Sequence, residues 1–430
     1  METIKIGILG CGTVGKGVIK VLCNNRDSIA RKIGSYIEIV KVLERDQQKI
    51  QDPTFRQISF TSNAYEILDD PEINVIVEVM GGIELPREYI VYALRNGKSV
   101  VTANKDLMAI NGEELFAAAE EGKADLLFEA SVGGGIPIIG PLKESLAGNK
   151  INTVMGIING TTNYILTKMA NMGSDFDEVL AEAQKLGYAE ADPTSDVEGL
   201  DSARKIAILA SIAFNTRITF PNVYVEGITK VSASDILYAK ELGYVIKLLG
   251  IAKEEQKEIE VRVHPVFLPK NHPLASVDNV YNSIYIKGDA VGDAMFFGRG
   301  AGELPTASAV VGDIMTIAKN IKNGLMGTNQ CTCFEHKRIK TIFETKSKYY
   351  LRLSVKDKPG VLASIASVLG NQEVSIASVI QKKRQNEIAE IVLITHEVKE
   401  ANLQDALNII RGLSVVNEIR NVIRVESGEE

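Results

Sequence analysis

The chain is 430 residues long, 45% hydrophobic and 24% charged, which suits two or three globular domains with sizeable cores. A net charge of −7 without a basic tail or stripe weighs against nucleic acid or an acidic membrane surface and favours a small-molecule partner. No apolar run approaches the ~18 residues of a membrane span, the start METIKIGILG enters a strand without a leader pattern, and four cysteines make no disulfide framework, so a cytoplasmic protein is expected.

Residues 3–10 (TIKIGILG) predict a strand, followed by the turn Gly10-Cys11-Gly12-Thr13-Val14-Gly15 and a helical pattern to Asn24. A G-x-G-x-x-G turn between strand and helix is suited to a dinucleotide. Gly10 permits the tight turn, Gly12 the approach of a pyrophosphate, and Gly15 close packing of helix on strand, while the helix N-terminus meets the negative charge. A second strand is expected at 36–44, and apolar runs at 73–80, 98–102 and 125–130 alternate with helical segments such as LPREYIVYALRNG. The alternation predicts an α/β, Rossmann-type doubly wound parallel sheet over residues 1–130.

The acid after the second strand of such a domain binds a ribose hydroxyl, and a nearby arginine suits a 2′-phosphate. Glu44 and Arg45 supply both; Arg45, followed by the loop residues Asp46 and Gln47, favours NADP and leaves NAD open. Lys105, in VVTANKDL, lies just past a strand end, where ligands of open parallel sheets bind, although a surface lysine is the simpler reading.

From residue 131 the pattern becomes mixed, with the strand-like NTVMGIING, helices at 161–172 and 175–187, and strands at IEVRVHPVFL and SIYIKG. Residues 131–305 are read as a catalytic and dimerisation domain, and the helix at 306–322 is expected to return to the first domain. Residues 323–348 read as a linker containing Cys331, Cys333 and His336. That C-x-C-x2-H cluster has no evident fourth ligand for zinc and reads as loop residues open to oxidation. Residues 349–430 then run strand, helix, strand, strand, helix, strand, a ferredoxin-like βαββαβ module.

The densest chemistry lies in GYAEADPTSDVEGLDSARK, residues 187–205, where Glu190, Asp192, Asp196, Glu198 and Asp201 precede Arg204 and Lys205. A helix is expected from Leu200, which sets Asp201 and Lys205 one turn apart on one face. An exposed pair of this kind is a salt bridge worth ~0.3–0.5 kcal/mol. The continuation IAILASIAF has almost no polar face, however, so the pair is expected at the edge of a buried helix, where an amine and a carboxylate can move protons.

Together these segments resemble homoserine dehydrogenases over the whole length. The motifs are the N-terminal GxGxVG, VVTANK, EASVGGGIPI at 129–138, GIINGTTNYIL, GYAEADP through DSARK, and GRGAGELPTASAVVGDI at 298–314. The resemblance implies interconversion of aspartate 4-semialdehyde and homoserine, with hydride from NADPH (NAD possible) and a proton from an ammonium group. It assigns catalytic roles to Lys205, the first candidate for proton donor, and to Lys105 near the nicotinamide, and substrate contacts to Glu190, Asp196 and Asp201. It also implies a sodium ion on oxygen ligands of Glu129, Val132, Gly134 and Ile136, and a loop closing over the cofactor with Gly302 near it.

The C-terminal module resembles an ACT domain whose turn Asp357-Lys358-Pro359-Gly360 suits an effector carboxylate; threonine is the implied effector, and a module kept only for dimerisation is the alternative. A homodimer or homotetramer is expected. Two competing readings are a non-catalytic sensor of NAD(P) and an amino acid, and a diaminopimelate dehydrogenase. The first has no use for the acid and lysine cluster, and the second family lacks the 187–205 segment.

Overall fold

The computed structural model describes residues 2–46, 55, 58–383 and 388–426. They form two compact units, one of Met1–Asn152, Ala207–Phe220 and Asn282–His336, the other of Thr153–Ile206, Pro221–Tyr281 and Lys337–Glu430.

The first unit opens with β1 (Thr3–Leu9), α1 (Thr13–Asn24), α2 (Arg26–Ile33), β2 (Tyr36–Leu43), β3 (Ser59–Thr61), α3 (Tyr65–Leu68), β4 (Val75–Glu78), α4 (Glu84–Arg95), β5 (Ser99–Thr102), α5 (Lys105–Gly122) and β6 (Leu126–Leu127). The strands pair in parallel in the order β3-β2-β1-β4-β5-β6, so the order reverses beside β1, where the glycine turn lies. Ile4, Ile6, Ile8, Val75, Val77 and Val101 are buried, the near-continuous apolar pattern of a parallel sheet covered on both faces. The strand expected at 125–130 is shorter: it ends at Leu127, and Glu129–Ser131 form a 3-10 turn because Asp313 takes the Glu129 amide while backbone amides further on take its carboxylate.

The chain continues with α6 (Ile139–Lys143), β7 (Ile151–Ile157), α7 (Gly160–Met172), α8 (Phe176–Lys185), α9 (Thr194–Val197), α10 (Leu200–Ala213), β8 (Tyr224–Val225), α11 (Ala233–Glu241), β9 (Tyr244–Glu255), β10 (Glu258–Pro269), β11 (Tyr281–Gly288), β12 (Gly292–Arg299) and α12 (Glu303–Asn323). Helix α12 belongs to the first unit and packs on α1, where Val18 shares a core with Ala307, Val310 and Ile314. A Cβ on Gly17 would come within 2.6 Å of the Glu303 carbonyl, so the two backbones approach closely at that glycine.

The last stretch comprises β13 (Arg338–Ile339), β14 (Lys346–Lys356), α13 (Val361–Asn371), β15 (Ile376–Lys383), β16 (Ile388–Thr395), β17 (Val398–Lys399), α14 (Glu400–Arg411) and β18 (Val416–Val425). Within the second unit the strand order is β7-β9-β10-β18-β14-β16-β15. The order β18-β14-β16-β15 is the ferredoxin-like arrangement, with α13 and α14 contributing Ile365, Leu369, Leu403 and Leu407 to its core.

Strand β18 also pairs in parallel with β10, aligning Val266 with Arg424 and Phe267 with Val425, so the C-terminal module extends the sheet that β9 and β10 begin. Buried charges reinforce this seam. Asp235 at the start of α11 accepts from Arg352 Nε at 2.8 Å, from the Tyr350 hydroxyl at 3.0 Å and from Asn421 at 2.8 Å. Arg352 also meets Glu390 at 3.2 Å, and Arg424 binds Glu400 at 2.7 Å and Glu226 at 2.9 Å.

On β10, His264 is fully buried; its Nδ1 lies 2.9 Å from the Pro265 carbonyl, and its Nε2 has no partner among the described residues. Burial, with Arg424 and Arg262 adding repulsion, holds the ring well below its ordinary pKa of 6.5. The unfolded chain therefore binds a proton below pH 6.5 that the folded chain refuses, and stability falls as pH drops through that window by up to about 1.4 kcal/mol per pH unit. Urea unfolding of His264→Leu between pH 7 and 5 is expected to give a visibly shallower pH slope than the parent; an unchanged slope would refute this assignment.

Candidate active site

The glycine turn lies at the C-terminal end of β1. Gly10 has φ +110, and a Cβ there would press on the Val79 carbonyl at 2.8 Å. At Gly15 a Cβ would lie 2.1 Å from the Gly10 carbonyl, so this position serves packing. Gly12 differs: its φ is an ordinary −73 and nothing lies within 4 Å of a Cβ built there, leaving open space at the N-cap of α1. The first turn of α1, with Thr13, Val14 and Gly15, carries no acid, so its amides and dipole present an uncompensated positive end. This chemistry fits a pyrophosphate.

Glu44 follows β2, with its amide on the Thr61 carbonyl and its carboxylate accepting from the Asp46 amide at 2.9 Å. Arg45 beside it is exposed, and Gln47 lies outside the described residues.

Lys105 is the first residue of α5, just beyond β5. Sequence reasoning missed the supports around it. Asn104 caps α5 by accepting from the Leu107 amide at 3.1 Å, and donates to the Gly82 carbonyl at 2.7 Å. The Thr102 hydroxyl donates to the buried carboxyl of Glu78 at 2.6 Å, and the Met80 amide donates to it at 2.8 Å. Burial raises the Glu78 pKa against these bonds. The available signal was an Asn directly before a helical run, an N-cap pattern.

After β6, the Glu129 carboxylate accepts from three successive amides, those of Ile138, Ile139 and Gly140, the last two at 2.8 and 2.6 Å. It thus serves as the anion at the start of α6. Its own amide donates to Asp313 at 2.8 Å, and burial pushes the Asp313 carboxyl well above its ordinary value. Val132, Gly134 and Ile136 follow in a loop that turns on left-handed Gly133 and Gly134. A Cβ on Gly134 would meet the Gly300 carbonyl at 2.4 Å, which sets the 298–302 loop against this one, and Gly302, with φ +131, begins α12.

The second unit brings Asp196, Asp201 and Lys205 together. The Lys205 ammonium donates to Asp201 at 2.6 Å and to the Ile158 carbonyl at 2.8 Å. The side chains of Lys205 and Asp201 retain only 12% and 8% of their exposure. Asn159 donates through its amide nitrogen to Asp196 at 2.7 Å and to Asp201 at 2.9 Å. Its oxygen caps α7 through the Thr162 amide at 2.9 Å. Asn159 is thus the hub of the cluster, and sequence reasoning gave it no role.

Gly199, with φ +79, makes the turn into α10; beyond it Ala203, Ile206, Leu209 and Ala210 are buried, the apolar helix the sequence implied. Glu190 stands apart. It is exposed, and among the described residues its carbonyl is engaged by Gln184 at 3.1 Å. Asp192 accepts from the Thr194 hydroxyl and amide, which hold its carboxyl below the usual range.

A parallel sheet with an open glycine turn at its reversal is the arrangement of a dinucleotide-dependent oxidoreductase. Comparisons with known proteins narrow the class. Family models described as "Homoserine dehydrogenase, NAD binding domain", "Homoserine dehydrogenase" and "ACT domain" match residues 10–129, 137–315 and 349–415. The homoserine dehydrogenase of Bacillus subtilis is 45% identical over 99% of both chains, and that of Corynebacterium glutamicum is 44% identical over 99% of this chain and 96% of the other. Among solved structures, a homoserine dehydrogenase from Thiobacillus denitrificans superposes with a TM-score of 0.95 at 43% identity, covering 99% of each chain. A hyperthermophilic archaeal homoserine dehydrogenase in complex with NADPH covers 73% of this chain and 97% of its own, with a TM-score of 0.62 at 27% identity. The chain belongs to the homoserine dehydrogenase family, NAD(P)-dependent oxidoreductases, and carries a C-terminal ACT domain.

Two glycine variants separate packing from binding. Gly15→Ala is expected to lower stability by about 1–3 kcal/mol through overpacking. Gly12→Ala is expected to leave the unfolding midpoint within about 1 kcal/mol while weakening NADPH binding, followed by nicotinamide fluorescence, by about tenfold or more. Normal cofactor affinity in Gly12→Ala would remove that glycine from the site.

Proposed function

We propose that this chain interconverts L-aspartate 4-semialdehyde and L-homoserine, using NADPH in preference to NADH, as a step of threonine and methionine biosynthesis. The observation that carries the reading is the Lys205 ammonium, fixed by Asp201 and the Ile158 carbonyl. Among the described residues two of its three N–H bonds are engaged there, and the third would meet a substrate oxygen. The bound cofactor supplies the hydride to the aldehyde carbon. Lys205 then delivers a proton to the developing alkoxide, directly or through water, and Asp201 stabilises the ammonium between turnovers.

Asp196 and Asp201, oriented by Asn159, and Glu190 on its exposed turn offer carboxylates to the substrate's α-ammonium and hydroxyl groups. Gly10, Gly12, Thr13, Val14 and Gly15 would hold the pyrophosphate, Arg45 would meet the 2′-phosphate, Lys105 would serve the nicotinamide end, and Gly302 would belong to the loop over the cofactor. Carbonyl oxygens of Glu129, Val132, Gly134 and Ile136 are the proposed sodium ligands; the left-handed turn at Gly133 and Gly134 and the side chain of Glu129, already committed to amides, favour main-chain over carboxylate coordination.

Threonine is the proposed effector of the ACT domain. Gly360, with φ +86, open space around its Cβ position and no side-chain cap at the start of α13, supports a carboxylate site there. The proposed assembly is a homodimer or homotetramer, and the proposed location is the cytoplasm; among the described residues no helix is long and apolar enough to cross a membrane.

The decisive assay follows oxidation of NADPH or NADH with aspartate 4-semialdehyde, with and without millimolar threonine. Lys205→Ala is expected to lose about 10²- to 10⁴-fold in kcat with cofactor affinity retained. Equal loss of cofactor binding would make its role structural, and full activity in threonine would overturn the regulatory part.

A further inference from the structure

The segment after α12 brings two cysteines, a guanidinium and an amine together in the first unit, away from the glycine turn. Arg217 donates through Nη2 to the sulfur of Cys331 at 3.1 Å, and the Cys333 amide lies 3.4 Å from the same sulfur. The Cys333 thiol itself lies 3.8 Å from the Ser211 carbonyl. Lys143 Nζ is anchored 3.1 Å from the Gln330 carbonyl and over the rings of Phe116 and Phe128, at 5.5 and 5.9 Å, adding a second positive charge nearby.

Both cysteines are half-buried and border a cleft of about 340 Å³, which admits a small reactant; Glu113, Glu120 and His336 also line it. Among the described residues no group of three His, Cys, Asp or Glu is placed to hold a metal, so the zinc reading of C-x-C-x2-H has no support here. What remains is a sulfur surrounded by donors, with a second sulfur two residues away.

We propose that Cys331 and Cys333 are an oxidant-reactive thiol pair that small hydroperoxides convert to a disulfide, with Cys331 attacking and Cys333 resolving. The Cys331 thiolate attacks one peroxide oxygen and the O–O bond breaks. Sulfur gives up two electrons, forming a sulfenic acid, and the other oxygen leaves as water or an alcohol after taking a proton. Cys333 then attacks the Cys331 sulfur and expels hydroxide, which leaves as water with the Cys333 proton. The balance is two thiols and one hydroperoxide giving one disulfide, one water and one alcohol, or two waters when the oxidant is hydrogen peroxide.

Charge favours this division of labour. The neighbouring Cys333, with Arg217 and Lys143 adding to it, holds the Cys331 thiol below its ordinary value of 9.0, whereas Cys331 and burial push Cys333 up. The other two cysteines are unlike this pair: Cys11 is buried and Cys23 exposed, and both thiols are pushed up, which marks them as slow to react.

The test uses the reduced full-length chain, treated at pH 7 with one to a few equivalents of hydrogen peroxide, alkylated with N-ethylmaleimide and mapped by peptide mass. The expected product is a peptide carrying both Cys331 and Cys333, two hydrogens lighter, unalkylated, and restored by dithiothreitol, while Cys23 remains alkylatable. In Cys333→Ser, dimedone is expected to label Cys331; in Arg217→Met, oxidation at pH 7 is expected to slow by about tenfold. Alkylation of both residues at peroxide levels that oxidise Cys23 would overturn the proposal, as would irreversible oxidation of Cys331 in the parent chain without a disulfide. The parent mapping decides the matter even if a variant fails to fold.

Discussion

A lysine that is nearly buried needs a negative partner, and at the start of α10 Asp201 is that partner for Lys205. The surrounding polar groups follow from this requirement. Asp201 has a second acid nearby in Asp196, and two carboxylates in one place repel each other unless a donor lies between them. Asn159 is that donor, with one N–H for each acid. Its remaining oxygen caps α7, so the helix start, the acid pair and the amine are a single hydrogen-bonded assembly. The Ile158 carbonyl completes it on the other side of the amine. A reactive amine is most useful when it cannot drift, and here both its partners sit on backbone fixed by β7, α7 and α10.

The same electrostatic constraint governs the C-terminal module. Arg352 and Arg424 are buried in its strands, and each finds carboxylates both within the module and on the segments preceding it: Glu390 and Asp235 for one, Glu400 and Glu226 for the other. The first strand of that module, β14, carries Arg352 directly to Asp235. The module is thus joined to the segments before it by charged contacts of fixed geometry.

What could be read from the sequence was local. The glycine turn, the α10 start at Leu200 and the shared face of Asp201 and Lys205 each depend on residues within a turn or two of one another. The C-terminal βαββαβ order was legible because its helices and strands carry clean, different periods. Strand β9 was not: YVIKLLGIAKEE mixes Leu, Ala, Lys and Glu without alternation, and its turn into β10 uses Gln256 and Lys257 at positive φ instead of a glycine or asparagine signal. The role of Asn159 was hidden because its partners are 37 and 42 residues away. Glu129 shows the same limit in a different form. It stood out as an oxygen donor, yet the side chain is spent on three amides of the next helix, something only the fold reveals.

The parallel pairing of β18 with β10 ties the C-terminal ACT module to the strand before it. Phe267 stacks on Tyr350 at 4.3 Å, and Asp235 depends on Arg352, Tyr350 and Asn421, all supplied by residues after 345. Cutting the chain there would strip a buried carboxylate of its counter-charge and bare an aromatic ring at a sheet edge. A foreign module grafted in its place must bring an arginine and a hydroxyl in the same register, or the acceptor must lose Asp235. The seam is a lock whose two halves have to be inherited together.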